Sequence, residues 1–276
     1  MRPFIKMHGL GNDFVIIDGR KDGFVPDEAF CLNVADRHRG VGYDQLIVLL
    51  PASQPDYDLQ MRIYNADGSL TGACGNGTRC VARLFFEETC RSEGLFETSG
   101  GILKVGNPAP DIYSVDFGEP RLNWDQIPLA KEMDTLHVDF GIEGLPDGCC
   151  VNVGNPHTLF FVPDVMAIAL EKIGPVLEHH PLFPQRCNIE FAQILDRGHI
   201  RMRVWERGTG ITQACGSGSL ATLIAAVRRG LTDRKATIHL DGGDLYIEWR
   251  ESDNHVTLAG AAAKVFRGEL CPEFLA

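Results

Sequence analysis

The sequence predicts an α/β protein (mixed α+β) of two pseudo-symmetric domains, each a sheet wrapped around a central helix. Three observations carry this prediction. The chain repeats itself once, at close to half its 276 residues. A glycine-rich turn in each copy opens onto an apolar helical segment, and strand-like runs surround both helices in sequence.

The repeat fixes the domain count. Ala73-Cys74-Gly75-Asn76-Gly77-Thr78 recurs as Ala214-Cys215-Gly216-Ser217-Gly218-Ser219, an offset of 141 from Cys74 to Cys215. Without a gap, the same offset carries Met61-Arg62-Ile63-Tyr64-Asn65 onto Met202-Arg203-Val204-Trp205-Glu206. Further out the register drifts to 142 at Gly100-Gly101 and Gly242-Gly243, and to 143 at Gly11-Asn12 and Gly154-Asn155, where Gln45 falls on Asn188. The expected domains are residues 1–118 with a tail at 263–276, and residues 119–262. No low-complexity linker marks the junction, so tight packing of the halves is expected.

Each element has its own signal. Leu46 to Leu50 and Ile63-Tyr64 read as strands of the first half, and His199 to Trp205 and Thr237 to Leu240 as strands of the second. After the second turn, Leu220, Leu223, Ile224 and Val227 follow helical spacing while Ala221, Ala225 and Ala226 leave almost no polar face, so this helix is expected to be buried nearly all round. Its counterpart, Cys80 to Cys90, turns Val81, Leu84 and Phe85 inward and ends in Glu87 and Glu88 at an exposed end.

Composition narrows the function classes. The chain has 26 Lys plus Arg against 37 Asp plus Glu, a net charge of −11, and no long basic run. This argues against nucleic acid and against an anionic membrane, and favours small-molecule partners. The longest apolar runs, Leu46 to Ala52 and Leu220 to Val227, fall far short of the ~20 residues that cross a bilayer. Met1 to His8 does not lead into the apolar run of a signal peptide, so a cytoplasmic protein is expected. The nine cysteines are odd in number and form no CxxC, which suggests neither a disulfide framework nor a metal site. Most should be small buried hydrophobes.

Two of them stand apart. Cys74 and Cys215 each precede Gly-x-Gly and a helix, where unpaired backbone N–H groups and the positive helix end converge. That setting favours a thiolate and makes a pocket for an anion such as a carboxylate. One such cysteine alone is more often a packed thiol. Two in register, related by pseudo-twofold symmetry, would face each other about one planar centre. A thiolate on one face and a thiol on the other could then remove and replace a proton on a carbon, which is racemisation or epimerisation without a cofactor or metal. Neither copy is a phosphate-binding loop, because no Lys-Ser/Thr follows the glycines.

At these residues the chain resembles the diaminopimelate epimerase family. The resemblance runs over His8-Gly9-Leu10-Gly11-Asn12-Asp13-Phe14, Asn65-Ala66-Asp67-Gly68-Ser69, Ala73 to Cys80, Gly154-Asn155-Pro156-His157, Glu206-Arg207-Gly208 and Ala214 to Gly218. It implies mixed β-barrel-like domains around central helices, an active site in the cleft between them, and a homodimer with Phe266 at the contact. It also implies pyridoxal-independent inversion of one α-carbon of diaminopimelate, in lysine and peptidoglycan precursor synthesis. By the same resemblance Cys74 and Cys215 are the acid–base pair, and Gly75-Asn76 and Gly216-Ser217 cradle the reacting carboxylate. Asn12, Gln45, Asn65, Asn155, Asn188, Glu206 and Arg207 contact substrate, and His157 and Glu206 tune the thiols. Arg207 suits a distal carboxylate and Glu206 an ammonium. Where family members commonly carry Glu, this chain has Leu70 and Ile211, and Ala259-Gly260-Ala261-Ala262 replaces a proline-containing turn. A two-cysteine racemase of a single-headed amino acid such as histidine or proline, and a thiol redox or ligand-binding module, are the competing expectations.

Overall fold

A computed structural model describes residues 1–274. The chain divides into two units, Met1–Val115 together with the stretch from Ala259 onward, and Asp116–Leu258. The expected boundaries lay slightly later, at 118 and 263. Ala261 and Ala262 go with the first unit because their carbonyls accept hydrogen bonds from its arginines, Arg79 Nε at 3.4 Å and Arg83 Nη1 at 2.7 Å.

The first unit contains β1 (Arg2–Gly9), β2 (Asn12–Asp18), α1 (Glu28–Ala35), β3 (Gln45–Leu50), β4 (Leu59–Asn65), β5 (Leu70–Thr71), α2 (Gly75–Thr89), β6 (Glu93–Thr98), β7 (Gly101–Ala109) and most of β8 (Ile112–Asp116). The second contains β9 (Cys149–Asn152), β10 (Pro156–Phe161), α3 (Leu170–Glu178), β11 (Asn188–Asp196), β12 (His199–Glu206), β13 (Gly210–Ile211), α4 (Gly216–Arg228), β14 (Lys235–Leu240) and β15 (Gly243–Trp249). The chain returns through β16 (Val256–Ala261) to β17 (Ala263–Leu270), which pairs antiparallel with β1.

The strand ladders show the duplication directly. In the first unit β2 runs antiparallel to β1 and parallel to β3, and β4 pairs antiparallel with β3 and β5 and parallel with β6, which pairs antiparallel with β7. The second unit repeats these senses strand for strand through β9, β10, β11, β12, β13, β14 and β15. Phe14 lies opposite Gln45 in the one, and His157 opposite Asn188 in the other.

The central helices follow the expected burial with one change. α4 buries nine residues in succession from Gly218 to Ala226, and Gly216 before them, with only Ser217 between less covered. α2 starts five residues before Cys80, buries Val81, Phe85 and Phe86, and leaves Leu84 partly covered, because Phe86 takes the inner position. Cys90 ends α2 as a left-handed cap with φ 57°. Of the seven cysteines expected to pack, Cys31, Cys80, Cys149, Cys150 and Cys187 are buried, whereas Cys90 and Cys271 are exposed. Among the described residues no helix is long and apolar enough to cross a membrane.

Candidate active site

Each cysteine is the N-cap of its central helix, with extended backbone at Cys74 (φ −146°, ψ 110°) and Cys215 (φ −121°, ψ 111°). A sulfur replaces the usual hydroxyl cap. Gly77 N donates to Cys74 Sγ at 3.5 Å, and Gly218 N to Cys215 Sγ at 3.4 Å. The hydroxyls of Thr78 and Ser219 close the first turn on the cysteine carbonyls at 2.8 and 2.9 Å. The first helical residues, Gly75-Asn76 and Gly216-Ser217, therefore present the amides that an α-helix leaves unpaired at its start.

Glycine is required at the third helical position in both units. A Cβ on Gly77 would lie 2.7 Å from Ile47 and 3.2 Å from Phe14, and one on Gly218 would lie 2.8 Å from Glu190 Oε1 and 3.3 Å from Cys215 Sγ. The helix start presses onto the second residue past the aligned polar pair on β3 and β11.

In the first unit Asn12 and Asn76 stand with Cys74, and Gln45 and Asn65 form a bonded pair of their own. Asp44 accepts from Asn12 Nδ2 at 2.9 Å, which turns Asn12 Oδ1 toward Asn76 Nδ2 at 3.2 Å and Cys74 Sγ at 3.9 Å. Gln45 Nε2 donates to Asn65 Oδ1 at 3.1 Å, and Asn65 Nδ2 to Ser69 Oγ at 3.0 Å. Gln45 Oε1 and Asn76 Oδ1 are buried without a hydrogen-bond partner among the described residues. Such orphaned acceptors are costly and suit an incoming donor such as an ammonium.

In the second unit Asn155, His157, Asn188, Glu206, Arg207 and Ser217 accompany Cys215. His157 is fully buried, with Nδ1 2.6 Å from Glu190 Oε1 and Nε2 3.0 Å from Asn155 Oδ1. Asn188 donates to Pro156 O at 3.0 Å and accepts from Arg207 N at 2.9 Å. Burial pushes the Cys215 thiol well up, and the charges of Glu206 and Glu190 push it the same way against the Ser217 hydroxyl and the Gly218 N–H. Burial also raises Glu206, opposed by its hydrogen bonds from Thr212 and Cys215 and by His157. Both residues expected to tune the thiols thus belong to the Cys215 unit.

Sequence reasoning missed several supports. Glu178 on α3 is buried and accepts from Trp205 Nε1 at 2.7 Å and Gly208 N at 3.0 Å, bracketing Glu206-Arg207. Glu190 and Arg79 are fully buried and were also unforeseen. For Glu190 and Arg79 the signal existed in the repeat, where the aligned residues Ile47 and Leu220 are apolar. Leu70 and Ile211 occupy equivalent exposed places on β5 and β13, and Phe266 is 48% exposed on β17.

Duplicated units with a cysteine-capped helix start in each define a class, and solved structures share the fold. A phenazine biosynthesis protein of the PhzF family from Bacillus anthracis matches with a TM-score of 0.69 at 17% identity, over 98% of this chain and 99% of that one. A hydroxyproline epimerase from Agrobacterium vitis matches with a TM-score of 0.66 at 14% identity, over 98% and 90%. Within that fold class the sequence is specific. The family model described as diaminopimelate epimerase matches residues 4–122 and 149–265, one segment in each half. A diaminopimelate epimerase of Rhodospirillum centenum is 56% identical over 275 residues, covering 100% of this chain and 94% of that protein. The chain belongs to the diaminopimelate epimerase family.

Proposed function

We propose that this protein interconverts LL- and meso-2,6-diaminopimelate, with Cys74 and Cys215 as its acid–base pair. The observation that carries the reading is the recurrence, in both units, of a cysteine capping the central helix with the same backbone bonds. An α-proton is a very weak acid, so the chemistry needs more than a base. A thiolate takes the proton from one face of the α-carbon, and a thiol delivers its own proton to the other face. The amides of Gly75-Asn76 and Gly216-Ser217 are aimed for the carboxylate on which negative charge develops, and removing one such donor typically costs ~10²–10³ in rate.

The second amino-acid head of the substrate explains the rest of the polar set. Arg207 suits its carboxylate, Glu206 its ammonium, and the amides of Asn12, Gln45, Asn65, Asn155 and Asn188 its remaining hydrogen bonds. Asn76 Oδ1 and Gln45 Oε1 supply acceptors without present partners. A single-headed amino acid would leave Arg207 unused. A homodimer formed through β17, with exposed Phe266 and Val265 at the contact, completes the proposal.

The test is epimerisation by the purified protein without added pyridoxal phosphate, with LL- and meso-diaminopimelate resolved by chiral chromatography and proline as the comparison substrate. Interconversion of diaminopimelate and none of proline is expected. Turnover of proline with inert diaminopimelate would replace this reading with the single-headed racemase. Arg207→Met is expected to raise KM for diaminopimelate about 10²-fold, the scale of one lost charged partner.

A further inference from the structure

The two helix starts share a backbone but carry opposite charge around the cysteine. In the first unit Arg79 lies on α2, fully buried, with Nη1 and Nη2 lacking a hydrogen-bond acceptor among the described residues. Its Nη2 is 3.0 Å from where a Cβ on Gly9 would lie, a position also 3.2 Å from Asn76 Cβ, so the guanidinium sits against the first turn of the helix. The repeat places apolar Leu220 at the position of Arg79 in the second unit. Conversely, Phe14 and Ile47 line the underside of the α2 start, and the aligned residues under α4 are His157 and Glu190.

A buried guanidinium whose one hydrogen bond is the long one from Nε to Ala261 O, at a positive helix end, is unfavourable twice over. Burial lowers Arg79 to about 10, opposed by the charges of Cys80 and Cys74. Cys80 is itself pushed up to about 12 by burial and stays a thiol near neutral pH, and the other cysteine whose charge acts on Arg79 is Cys74. Around Cys215 the groups are of the other sign: Glu190 from β11, Glu206 from β12, and Ser217 from α4, with His157 from β10 bonded to Glu190. At Cys74, Asn12 Oδ1 from β2 accepts from the sulfur, Gly77 N of α2 donates to it, and the charge of Arg79 from α2 is coupled to it.

We propose that Arg79 and Glu190 are positioning residues that make the two thiols unequal at rest, Arg79 holding Cys74 as the thiolate and Glu190 keeping the proton on Cys215. This rests on the reading of Cys74 and Cys215 as the acid–base pair. From that state the Cys74 thiolate takes the α-proton of the epimer presented to it and becomes a thiol, while Cys215 gives its proton to the opposite face and becomes the thiolate. Turnover in the reverse direction begins from the inverted state, and resetting moves one proton from Cys74 to Cys215.

The test is pulse alkylation of the intact protein by iodoacetamide across pH, with peptide mass spectrometry following Cys74 and Cys215 separately. The thiolate is the reacting form, so the pH midpoint of each rate reports protonation, while access only scales the rate. In the wild type the Cys74 midpoint is expected at least about one pH unit below that of Cys215, a tenfold difference in ionisation. Arg79→Met should raise the Cys74 midpoint alone, Arg79→Lys should retain it, and Glu190→Gln should lower the Cys215 midpoint alone. Coincident or reversed wild-type midpoints overturn the proposal, as does an unmoved Cys74 midpoint in folded Arg79→Met. If that variant does not fold, the wild-type order and Glu190→Gln decide. A wild type that epimerises diaminopimelate with coincident midpoints loses only this inference, whereas one that does not epimerise loses the functional reading.

Discussion

Cys74 and Cys215 derive their proposed chemistry from where they stand, one residue before a helix whose first amides lack carbonyl partners. A serine there would cap the helix equally well. Its hydroxyl, however, is far too weak an acid to shuttle protons near neutral pH. Cys74→Ser and Cys215→Ser are therefore each expected to fold with unchanged melting temperature and to lose at least ~10³-fold in kcat, within the range for removal of a general acid or base, as read by the epimerisation assay. At the residue scale the cysteines and Asn76 were legible because a short motif repeated in register draws attention to them, and Arg207 through the family resemblance. Glu178 was not, since a carboxylate that supports a distant loop from another helix leaves no local pattern.

At the scale of elements, two parallel strand pairs hold one position each beneath a helix start, and the contents differ. Phe14 and Ile47 fill it with hydrocarbon in the first unit, while His157 and Glu190 fill it with a hydrogen-bonded pair in the second. Glu190 Oε2 has no hydrogen-bond partner among the described residues, and burial raises the Glu190 carboxyl against the pull of His157. Replacing a buried ionisable pair by well-packed apolar residues is commonly neutral or stabilising by ~1–4 kcal/mol. The double change His157→Phe with Glu190→Ile, copying the first unit, is expected to leave the urea midpoint equal or higher while abolishing epimerisation. A midpoint that falls by more than the measurement error would show that the pair stabilises the fold. The two central helices and the strands β3, β4, β12 and β14 were legible from period and repeat, whereas α1 and α3 were not. His157 was singled out by the family resemblance, but its buried partner Glu190 was not, because a glutamate in a strand reads as a surface residue until the fold places it inward.

Another element-scale contact fixes β1 to β2. Lys6, 8% exposed, donates to Asp13 and to Gly42 O, and Arg37 bonds both Asp13 and Asp44 at 2.8 Å. Burial tends to raise the Asp13 carboxyl, but Arg37 and Lys6 outweigh it and hold the group far below the ordinary carboxylate range. A depressed native pKa stabilises fully above the unfolded value, about 4, and the contribution is lost as pH falls below it. Asp13→Asn should cost ~3 kcal/mol in denaturant unfolding at neutral pH, the scale for breaking a buried pair. The gap from wild type should shrink as pH drops from 4 toward 2.

For the whole molecule, duplication accounts for the length, the twin ladders and the two family-model segments. What duplication does not supply is chemical equivalence, since Arg79 in one copy aligns with Leu220 in the other and Ile47 aligns with Glu190. This divergence was present in the sequence. Only the buried positions of Arg79 and Glu190 beside the helix starts give it meaning, because exposed charges would be screened by water. The central claim is proton transfer between two thiols on opposite faces of one α-carbon. Its most direct test is the early time course of epimerisation in deuterium oxide, with mass spectrometry of both epimers. Two monoprotic bases predict one solvent deuterium in nearly every product molecule and none in recovered substrate. Deuterium accumulating equally in recovered substrate, or product formed without it, would contradict the two-thiol mechanism.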